Sequence, residues 1–591
     1  MIKSIFTTYR HIRKYHNLTG GQVIYKKLLE HNVNDVFLYT GGAVMPLIDA
    51  FYKGDIRYYM NTHEQSGGHA ATGYAKSTGK PGISIVTSGP GLTNSVTALT
   101  DSTNDSTPFI LFSGNVPLNS MGTNAFQECP STDITRPVTK WSYCVQDVQE
   151  LPDVVDEAFK VSTNGKPGSV HIDLPKCITM KKFNSSNKKR FKYENKFIKE
   201  KIMNKTDSHF ISEVINNSKF PVLLVGQGCN NYSKELREFA IAANIPVTTT
   251  IHAMGVFDET HDLSLEFLGM HGNVAANYAI QNADLIIALG TRFDDRITGV
   301  IEKYAPKAFQ SFKEGTGGII HVNRNDKEIN NVINSHYNFQ VDCGEFLKSL
   351  KPSYTRRKSW LKKIKEWKEK HPFKYNKDKN HMSTQEVIDE INNYLHNINN
   401  YIVTTGVGNH QMMSSQFIKW RHPKSFISSG SLGVMGVGLP YAIGCQIAYP
   451  DKLVIDIDGD GSFNHTLSEL KTVQNYNLPI KIAIMNDTNF SMVRAWEELF
   501  FNKQYTATDL NRNPDYAELA ESFGIKGITC SNRKDLKDTI EEFLTYDKAI
   551  VCDFRVIPNL CLPLVSPGSG LDDMVLFNDK NIIMKTDLPP S

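Results

Sequence analysis

The strongest constraint on the fold is a pattern of short apolar runs separated by longer mixed segments, which recurs three times. The blocks lie at residues 20–178, 219–345 and 401–555, and each contains several runs such as ISIVTS, PVLLVGQG or KIAIMND. Strands that alternate with helices form parallel sheets covered on both faces. We therefore predict an α/β protein with three doubly wound parallel-sheet domains.

Polar stretches separate these blocks, and 591 residues are too many for one hydrophobic core. The predicted division is a basic N-terminal extension at 1–17, a first domain at 18–180, a linker at 181–207, a central domain at 208–350, a basic linker at 351–380, a third domain at 381–576 and a tail at 577–591. The basic linker can be a nucleic-acid patch or a solvated helix docked through Trp360 and Trp367, and we favour the docked helix.

Composition excludes several classes of function. A net charge of +3 gives no whole-chain argument for nucleic acid, and no apolar run approaches the about 18 residues of a membrane span. The nine cysteines never form CxxC, which indicates a reducing compartment without a zinc or disulfide framework. The first 17 residues are basic and lack acids, as in an organelle-targeting segment or a frayed terminus. We favour the terminus and expect a cytoplasmic protein.

Acidic side chains follow the apolar run LVIDI. Asp458 and Asp460 alternate with Gly459 and Gly461, which invites comparison with a calcium loop. Asp456, Asp458 and Asp460 would be positions 1, 3 and 5 of such a loop, but its twelfth position is then Leu467 rather than Glu, and a strand precedes it, so that interpretation fails.

The next segment, HTLSELKTVQNYN at 465–477, has the length of a helix, and the following strand ends at Asp487 and Asn489. In a βαβ unit both strand ends meet at the same edge of the sheet, where α/β proteins bind ligands. Because Mg²⁺ takes one or two carboxylates together with ligand phosphates, the pair predicts a metal-anchored diphosphate. An ordinary Asp/Gly turn is the alternative for either segment taken alone.

The motif GDG followed by this polar strand end resembles that of thiamine-diphosphate-dependent enzymes. Longer segments, among them HEQSGGHAATGYAKSTGKPGISIVTSGPGLTN, GTNAFQE, LGMHGNVAANYAIQNADLIIALGTRFDDRITG and GVMGVGLPYAIG, resemble the acetolactate synthase family over residues 18–576. The resemblance implies a pyrimidine-binding first domain, an FAD-type central domain and a diphosphate- and Mg²⁺-binding third domain.

The resemblance also assigns roles to residues. Glu64 matches the family's catalytic carboxyl, which would lie beside the cofactor. A zinc site is unlikely because HEQSGGH lacks the HExxH spacing, and a surface Glu is the remaining alternative. Met435 would support the bent cofactor and Lys176 would attract the substrate carboxylate. The implied catalytic positions are Glu64, Gln127 and Lys176, and the implied metal ligands are Asp460, Asp487 and Asn489. The substrate channel would be lined by Phe126, Met492 and Trp496. The positions implied for thiamine diphosphate are Gly41, Gly42, Val407, Gly408, Asn409, His410, Gly433, Met435, Gly461, Ser462 and Met492.

The central domain carries the implied FAD positions, although its GxG alone is a weak fingerprint. They are Lys166, Gly226, Gly228, Met270, His271, Gly290, Arg292, Arg296, Asn323 and Asp342. In the family this flavin has no net redox part.

Several positions depart from the family pattern. Asp487 replaces an Asn, Phe490 and Ser491 replace Gln and Gly, Lys166 replaces an Arg, and Asn323 replaces an acid. Lysine lacks the planar fork of arginine, so the Lys166 and Asn323 exchanges bear on FAD binding. Asp487 adds a second carboxylate, which predicts tighter Mg²⁺ binding and more repulsion toward the diphosphate.

The resemblance implies decarboxylation of pyruvate and transfer of its two-carbon unit to pyruvate or 2-oxobutyrate, as in branched-chain amino acid biosynthesis. It implies a homodimer or tetramer with shared active sites, and leaves open a separate regulatory subunit. Rival interpretations are another carboligase or decarboxylase, a pyruvate oxidase, and a homologue that binds cofactors with impaired catalysis.

Overall fold

A computed structural model describes residues 14–186, residue 191 and residues 201–577. Most of the predicted N-terminal extension, the middle of the first linker and nearly all of the predicted tail lie outside the described residues. Three parallel sheets form in the described part, which confirms the predicted fold class. No helix there has the length and apolarity that crossing a bilayer requires.

The first domain is a six-stranded parallel sheet with the strand order β2–β1–β3–β4–β6–β5. Strand β4 is entirely buried, as expected for a sheet covered on both faces. The strands are β1 Asp35–Leu38, β2 Arg57–Met60, β3 Gly82–Val86, β4 Phe109–Asn115, β5 Trp141–Cys144 and β6 Ser169–Pro175. The helices are α1 Gly20–Glu30, α2 Met45–Ile48, α3 Glu64–Thr78, α4 Pro90–Asn94, α5 Val96–Asn104, α6 Ser131–Thr135, α7 Leu151–Thr163 and α8 Lys176–Met180.

The central domain has the strand order β12–β11–β10–β7–β8–β9, again all parallel. Its strands are β7 Pro221–Val225, β8 Val247–Thr249, β9 Ser264–Phe267, β10 Leu285–Leu289, β11 Gly318–Val322 and β12 Tyr337–Phe339. The helices are α9 Lys205–Asn217, α10 Ser233–Ala243, α11 Val274–Asn282, α12 Asp295–Thr298, α13 Pro306–Lys313 and α14 Cys343–Ser349, followed by α15 Lys358–Lys370 in the basic linker.

The third domain is a seven-stranded parallel sheet with the order β13–β19–β17–β16–β14–β15, and β18 also pairs with β19. Its strands are β13 Met382–Ser383, β14 Tyr401–Thr405, β15 Phe426–Ile427, β16 Leu453–Gly459, β17 Lys481–Asn486, β18 Lys526–Cys530 and β19 Ile550–Ile557, and β20 Leu564–Val565 and β21 Met574–Val575 form a separate antiparallel pair. The helices are α16 Thr384–Leu395, α17 Asn409–Phe417, α18 Gly438–Ala448, α19 Asp460–Phe463, α20 Leu470–Asn475, α21 Ser491–Phe500, α22 Tyr516–Ser522 and α23 Leu536–Thr545.

The basic linker is docked on the central domain, as the sequence predicts. Trp360 of α15 is buried, and its indole Nε1 donates a 3.1 Å hydrogen bond to the carbonyl of Pro221. Trp367 packs edge-on against Trp360, with 5.8 Å between ring centroids. Helix α9 begins at Lys205, just before the predicted start of the central domain at residue 208.

The predicted continuous helix at 465–477 is broken. Residues 467–469 form a 3₁₀ turn, and the α-helix begins only at Leu470. Tertiary contacts fix the break: the Thr466 hydroxyl donates to the Gly436 carbonyl at 2.8 Å, and Glu469 accepts a 2.9 Å hydrogen bond from the backbone of Thr62. The segment therefore serves as a contact between the first and third domains.

The same two domains also meet along helices α3 and α18. A Cβ at Gly444 would lie 1.9 Å from the carbonyl oxygen of Ala70, and one at Gly73 would lie 2.6 Å from the Cα of Tyr441. Only glycine permits this approach, because any side chain would collide with backbone atoms. The first and third domains are therefore in direct backbone contact along these two helices.

Candidate active site

Two carboxylates meet at the carboxyl edge of the third sheet. Strands β16 and β17 are parallel neighbours with Gly459 opposite Met485, so Asp460 and Asp487 follow adjacent strand ends. Both side chains are buried. The sequence prediction that this βαβ unit brings the two acids to one edge is confirmed.

Each of these carboxylates is held by donors from the protein. Asp460 accepts hydrogen bonds from the backbone N–H of Gly461 at 2.9 Å and from the Asn513 amide at 2.7 Å. Asp487 accepts from the backbone N–H of Asn489 at 3.1 Å and from the Ser491 hydroxyl at 2.5 Å. These bonds fix both acids in position.

The pKa values of both acids are raised. Burial is the main cause at Asp460, whose pKa lies well above its ordinary value, and the charge of Asp487 adds to it. Burial also raises the pKa of Asp487 to about 6, against the opposing hydrogen bonds of Ser491 and Asn489. Two buried carboxylates in mutual repulsion form a site that a cation would stabilise.

The donor set fits Mg²⁺ bound together with phosphates. No group of three or more His, Cys, Asp and Glu side chains suited to a metal occurs in the described parts of the chain. Two carboxylates suffice for Mg²⁺ when ligand phosphates complete its shell. Asp460 and Asp487 are thus the residues that would hold the ion.

Asn489 differs from the two acids because its side chain is already engaged. Its Nδ2 donates to the main-chain carbonyl of Asp487 at 2.6 Å, and its Oδ1 accepts from Arg494 at 3.1 Å. A contribution of Asn489 to the metal would therefore come from its main-chain carbonyl.

The predicted diphosphate cradle surrounds this edge. His410 packs on Gly459, where a Cβ would lie 2.7 Å from its Nδ1, and the Ser462 hydroxyl accepts from the Gly436 backbone at 2.8 Å. The Oδ1 atom of Asn409 is buried and has no hydrogen-bond partner among the residues that the structure describes. Gly433 has φ of +72°, a conformation that favours glycine. A buried amide oxygen without a partner is consistent with a ligand-binding position.

The predicted catalytic residues of the first domain follow the carboxyl ends of its strands. Glu64 begins α3 just after β2, is 9% exposed, and accepts a 3.0 Å hydrogen bond from Asn94. Lys176 directly follows β6, while Gly41 and Gly42 follow β1. Glu64 is therefore not the surface residue of the alternative interpretation.

The loop after β4 carries Phe126 and Gln127. Phe126 is 88% exposed, and Gln127 has φ of +61° with its backbone packed near Gly89. The apolar side chain of Phe126 is therefore not buried by its own chain. The loop lies apart from the carboxylate pair in sequence and domain, and neither residue lines the cavity described next.

A cavity of about 730 Å³ lies where the three domains meet. All ten positions that the resemblance assigns to FAD line it: Lys166, Gly226, Gly228, Met270, His271, Gly290, Arg292, Arg296, Asn323 and Asp342. Five positions assigned to thiamine diphosphate or the substrate channel line it as well: Val407, Gly408, Gly433, Met492 and Trp496. The third-domain loops that carry these positions thus line the same cavity as the central domain. Binding of FAD stays a prediction.

Two glycines of the central domain, Gly228 and Gly290, let two loops of the cavity wall approach each other closely. A Cβ at Gly228 would lie 2.8 Å from the Cα of Gly290, and Gly290 itself has φ of +61°. A side chain at either glycine would force these two loops apart.

Two of the divergent positions are partly occupied by protein contacts. The amide of Asn323 donates to the carbonyl of Thr291 at 2.9 Å and accepts from the backbone of Asn325 at 3.0 Å. Lys166 pairs with Glu328 at 3.0 Å, also on the cavity wall. Asn323 and Lys166, which replace the family's acid and arginine, thus both bond to neighbouring residues of the protein.

Sequence reasoning missed several residues that support the site. Asn513, Asn94 and Arg494 bond to Asp460, Glu64 and Asn489, respectively. Asn94 falls inside a motif quoted for the resemblance, whereas nothing around Asn513 or Arg494 signals a role. Asn513 and Asn94 lie 53 and 30 residues from their partners, a separation that hydrophobic periodicity does not reveal.

The three domains also match known family models. Residues 18–135 match the N-terminal thiamine pyrophosphate binding domain, 209–350 the central domain and 406–554 the C-terminal thiamine pyrophosphate binding domain of the thiamine pyrophosphate enzymes. The chain belongs to the thiamine pyrophosphate enzyme family. The matched C-terminal domain, which binds thiamine pyrophosphate (thiamine diphosphate) in this family, contains the carboxylate edge at Asp460 and Asp487.

Similar members of the thiamine pyrophosphate enzyme family share one activity in their names. "Acetolactate synthase catalytic subunit, mitochondrial" of Saccharomyces cerevisiae is 40% identical, over 97% of this chain and 85% of that protein. "Acetolactate synthase, mitochondrial" of Schizosaccharomyces pombe is 39% identical over 94% and 86%. "Acetolactate synthase 1, chloroplastic" of Nicotiana tabacum is 36% identical over 95% and 85%.

Proposed function

We propose that this thiamine pyrophosphate enzyme is an acetolactate synthase, which decarboxylates pyruvate and transfers the two-carbon unit to a second 2-oxoacid. The observation that carries the proposal is the shared cavity: Val407, Arg292 and Trp496, assigned to thiamine diphosphate, FAD and the substrate channel, line the same space. Relatives of near-equal extent that bear this name support it.

The carboxylate pair supplies the anchor. Asp460 and Asp487 would hold Mg²⁺, and the backbone N–H groups of the loops at 407–410 and 461–462 would hold the diphosphate. When bound, thiamine diphosphate supplies the electron sink that decarboxylation needs. Anchoring at a rigid sheet edge fixes the direction in which the reactive ring extends.

Glu64 is the acid that would act on the cofactor. Its side chain is largely buried, and Asn94 fixes one carboxyl oxygen. The contacts of Asn61 and Thr62 with Glu469, at 3.0 and 2.9 Å, hold the segment before Glu64 against the third domain. A sheltered, oriented carboxyl suits transfer of a proton at the aminopyrimidine ring.

We also propose that the active site joins two copies of this chain, in a homodimer or tetramer. Phe126, assigned to the substrate channel, is 88% exposed, which a neighbouring subunit would explain. A separate regulatory subunit is a further proposal that rests on the resemblance alone.

We also propose that this protein is located in an organelle, although the sequence alone led us to expect a cytoplasmic protein. The names of the relatives place them in mitochondria or chloroplasts. A fluorescent fusion to the C-terminus tests it, and diffuse cytoplasmic signal would contradict it.

The decisive experiment is product formation from pyruvate alone, and then from pyruvate with 2-oxobutyrate, in the presence of thiamine diphosphate, Mg²⁺ and FAD. We expect 2-acetolactate and 2-aceto-2-hydroxybutyrate, and a loss of at least about 100-fold in Glu64→Gln. Reduction of bound flavin by pyruvate would instead indicate a pyruvate oxidase. Well-folded protein that binds thiamine diphosphate without releasing product would indicate an impaired homologue.

A further inference from the structure

The loop at residues 428–436 carries Gly433 and Met435, two positions assigned to thiamine diphosphate. It leaves strand β15 and leads to α18, and residues 431–433 are exposed in the chain. Five of its residues, from Ser429 to Gly433, also line the cavity shared with the central domain.

Two acids of the first domain hold this loop. Asp105 accepts hydrogen bonds from the backbone N–H groups of Gly430 at 3.1 Å and Ser431 at 2.8 Å. Asp101, one turn earlier on α5, accepts from the Ser429 hydroxyl at 2.6 Å. Both carboxylates are buried.

Ser429 relays this contact further along the loop. Its hydroxyl oxygen accepts from the backbone N–H groups of Gly433 and Val434, each at 3.1 Å. Asp101 thereby fixes, through one side chain, the turn that immediately precedes Met435. Charge-assisted hydrogen bonds to a carboxylate are the stronger kind, particularly when they are buried.

Asp105 also contacts the central domain, and a neighbouring lysine links it again to the loop. Lys76 of α3 donates to Asp105 at 2.6 Å and to the Ser428 carbonyl at 2.8 Å. His252 of the central domain has its Nε2 3.1 Å from Asp105, and Arg292, on the cavity wall, donates to the Ser431 hydroxyl and the Asn104 carbonyl. Burial alone would raise the pKa of Asp105, but His252 and Lys76 hold it well below its ordinary value.

We propose that Asp105 and Asp101 are positioning residues for thiamine diphosphate, which set the loop at 428–436 from a neighbouring domain. The cofactor site is then fixed by the junction of all three domains rather than by the third domain alone. This inference rests on thiamine diphosphate binding and not on the proposed acetolactate synthase activity.

The test is calorimetric titration of the full chain, loaded with FAD and Mg²⁺, with thiamine diphosphate. We expect Asp105→Asn to raise the Kd at least tenfold, because an amide presents only one acceptor atom to the two backbone donors and Lys76. Ser429→Ala removes the relay without touching a charge, and we expect a rise of at least threefold. A flavin absorbance spectrum of each variant reports whether the cavity is intact.

Glu386→Gln is the matched control. Glu386 is a buried carboxylate of the third domain that accepts from Arg533 at 2.7 Å and from the Ser383 backbone at 3.1 Å, away from the loop. We expect a lower melting temperature and a Kd within twofold of wild type. A similar rise in Kd for Glu386→Gln would reduce the effect to general destabilisation and overturn the proposal.

An unchanged Kd in folded Asp105→Asn would also overturn it. Where Asp105→Asn does not fold, Ser429→Ala decides: a Kd within twofold of wild type rejects the role of the loop anchors. Wild-type protein that binds thiamine diphosphate but makes no acetolactate would sink the proposed function and leave this inference standing.

Discussion

The hydroxyl of Ser491 donates a 2.5 Å hydrogen bond to Oδ2 of Asp487, and both residues are departures from the family pattern. Where the family usually has Asn and Gly, this chain has an acid and a donor that bonds to it. The two exchanges are therefore coupled in space: the added carboxylate oxygen is held by the added hydroxyl. Ser491 thus acts as a partner of Asp487.

Replacing Asp487 by Asn tests the role of the extra charge. We expect the Mg²⁺ concentration for half-maximal thiamine diphosphate binding to rise about tenfold, equivalent to about 1.4 kcal/mol, because one anionic ligand becomes neutral. Titration of Mg²⁺ at fixed cofactor, followed by calorimetry, measures it. An unchanged midpoint would show that Asp487 is not a ligand.

Replacing Ser491 by Ala tests the coupling between the two exchanges. We expect Ser491→Ala to shift the Mg²⁺ midpoint in wild type, and to have little effect in the Asp487→Asn background. A double-mutant cycle should give an interaction energy of about 1 kcal/mol. Strictly additive effects would mean that Ser491 acts independently of Asp487.

Gly228→Ala tests the cavity as a flavin site. The new methyl group would meet the Cα of Gly290 at 2.8 Å and part the two loops. We expect the flavin content of purified protein to fall at least fivefold. The control is Gly315→Ala, at φ of +71° with open space around it, which should cost about 1 kcal/mol of stability and leave flavin content unchanged. Equal flavin in both variants would contradict the assignment.

A pH effect is expected at Asp173 on β6. This buried acid accepts from Ser113 at 2.7 Å and from Asn115 at 2.6 Å, and burial raises its pKa to about 6 despite these bonds. Because the folded-state pKa exceeds the unfolded one, the folded state binds more protons, and stability falls as pH rises from about 4 to 6.

Asp173→Asn should remove this dependence. Relative to the variant, wild type should lose about 3 kcal/mol of unfolding free energy between pH 4 and pH 6, and nothing more above that range. Melting temperatures of both proteins across pH 4 to 7 measure it. Parallel curves would show that Asp173 does not titrate in this range.

Mixing two inactive variants tests the shared active site. Glu64 lies in the first domain and Asp460 in the third, and we expect Glu64→Gln and Asp460→Asn each to be inactive. If one site takes Glu64 from one subunit and Asp460 from the other, co-expressed variants should form mixed dimers with one intact site. About a quarter of wild-type activity is expected for random pairing. No recovery in confirmed mixed dimers would place both residues of a site on one chain.

Much of the architecture follows from local pattern. The run LVIDI leads to Asp460 and the run KIAIM leads to Asp487, and parallel pairing of their strands places the acids together. The segment HEQSGGHAATGYAKSTG likewise forms one helix, from Glu64 to Thr78, closed by Gly79 with φ of +80°. Prediction failed at 465–477, where helical length is overridden by the contacts of Thr466 and Glu469 with other segments.

By itself the sequence determined the three parallel-sheet domains and the carboxylate edge, because strand polarity is a local property, while the positions assigned to cofactors came from the family resemblance. Only the tertiary structure decided that Ser491 binds Asp487, that the Asn489 side chain is occupied by Arg494, and that Asp101 and Asp105 hold a loop more than 320 residues away. Such pairings depend on how whole domains pack, and no periodicity along the chain encodes which buried polar groups then come within bonding distance.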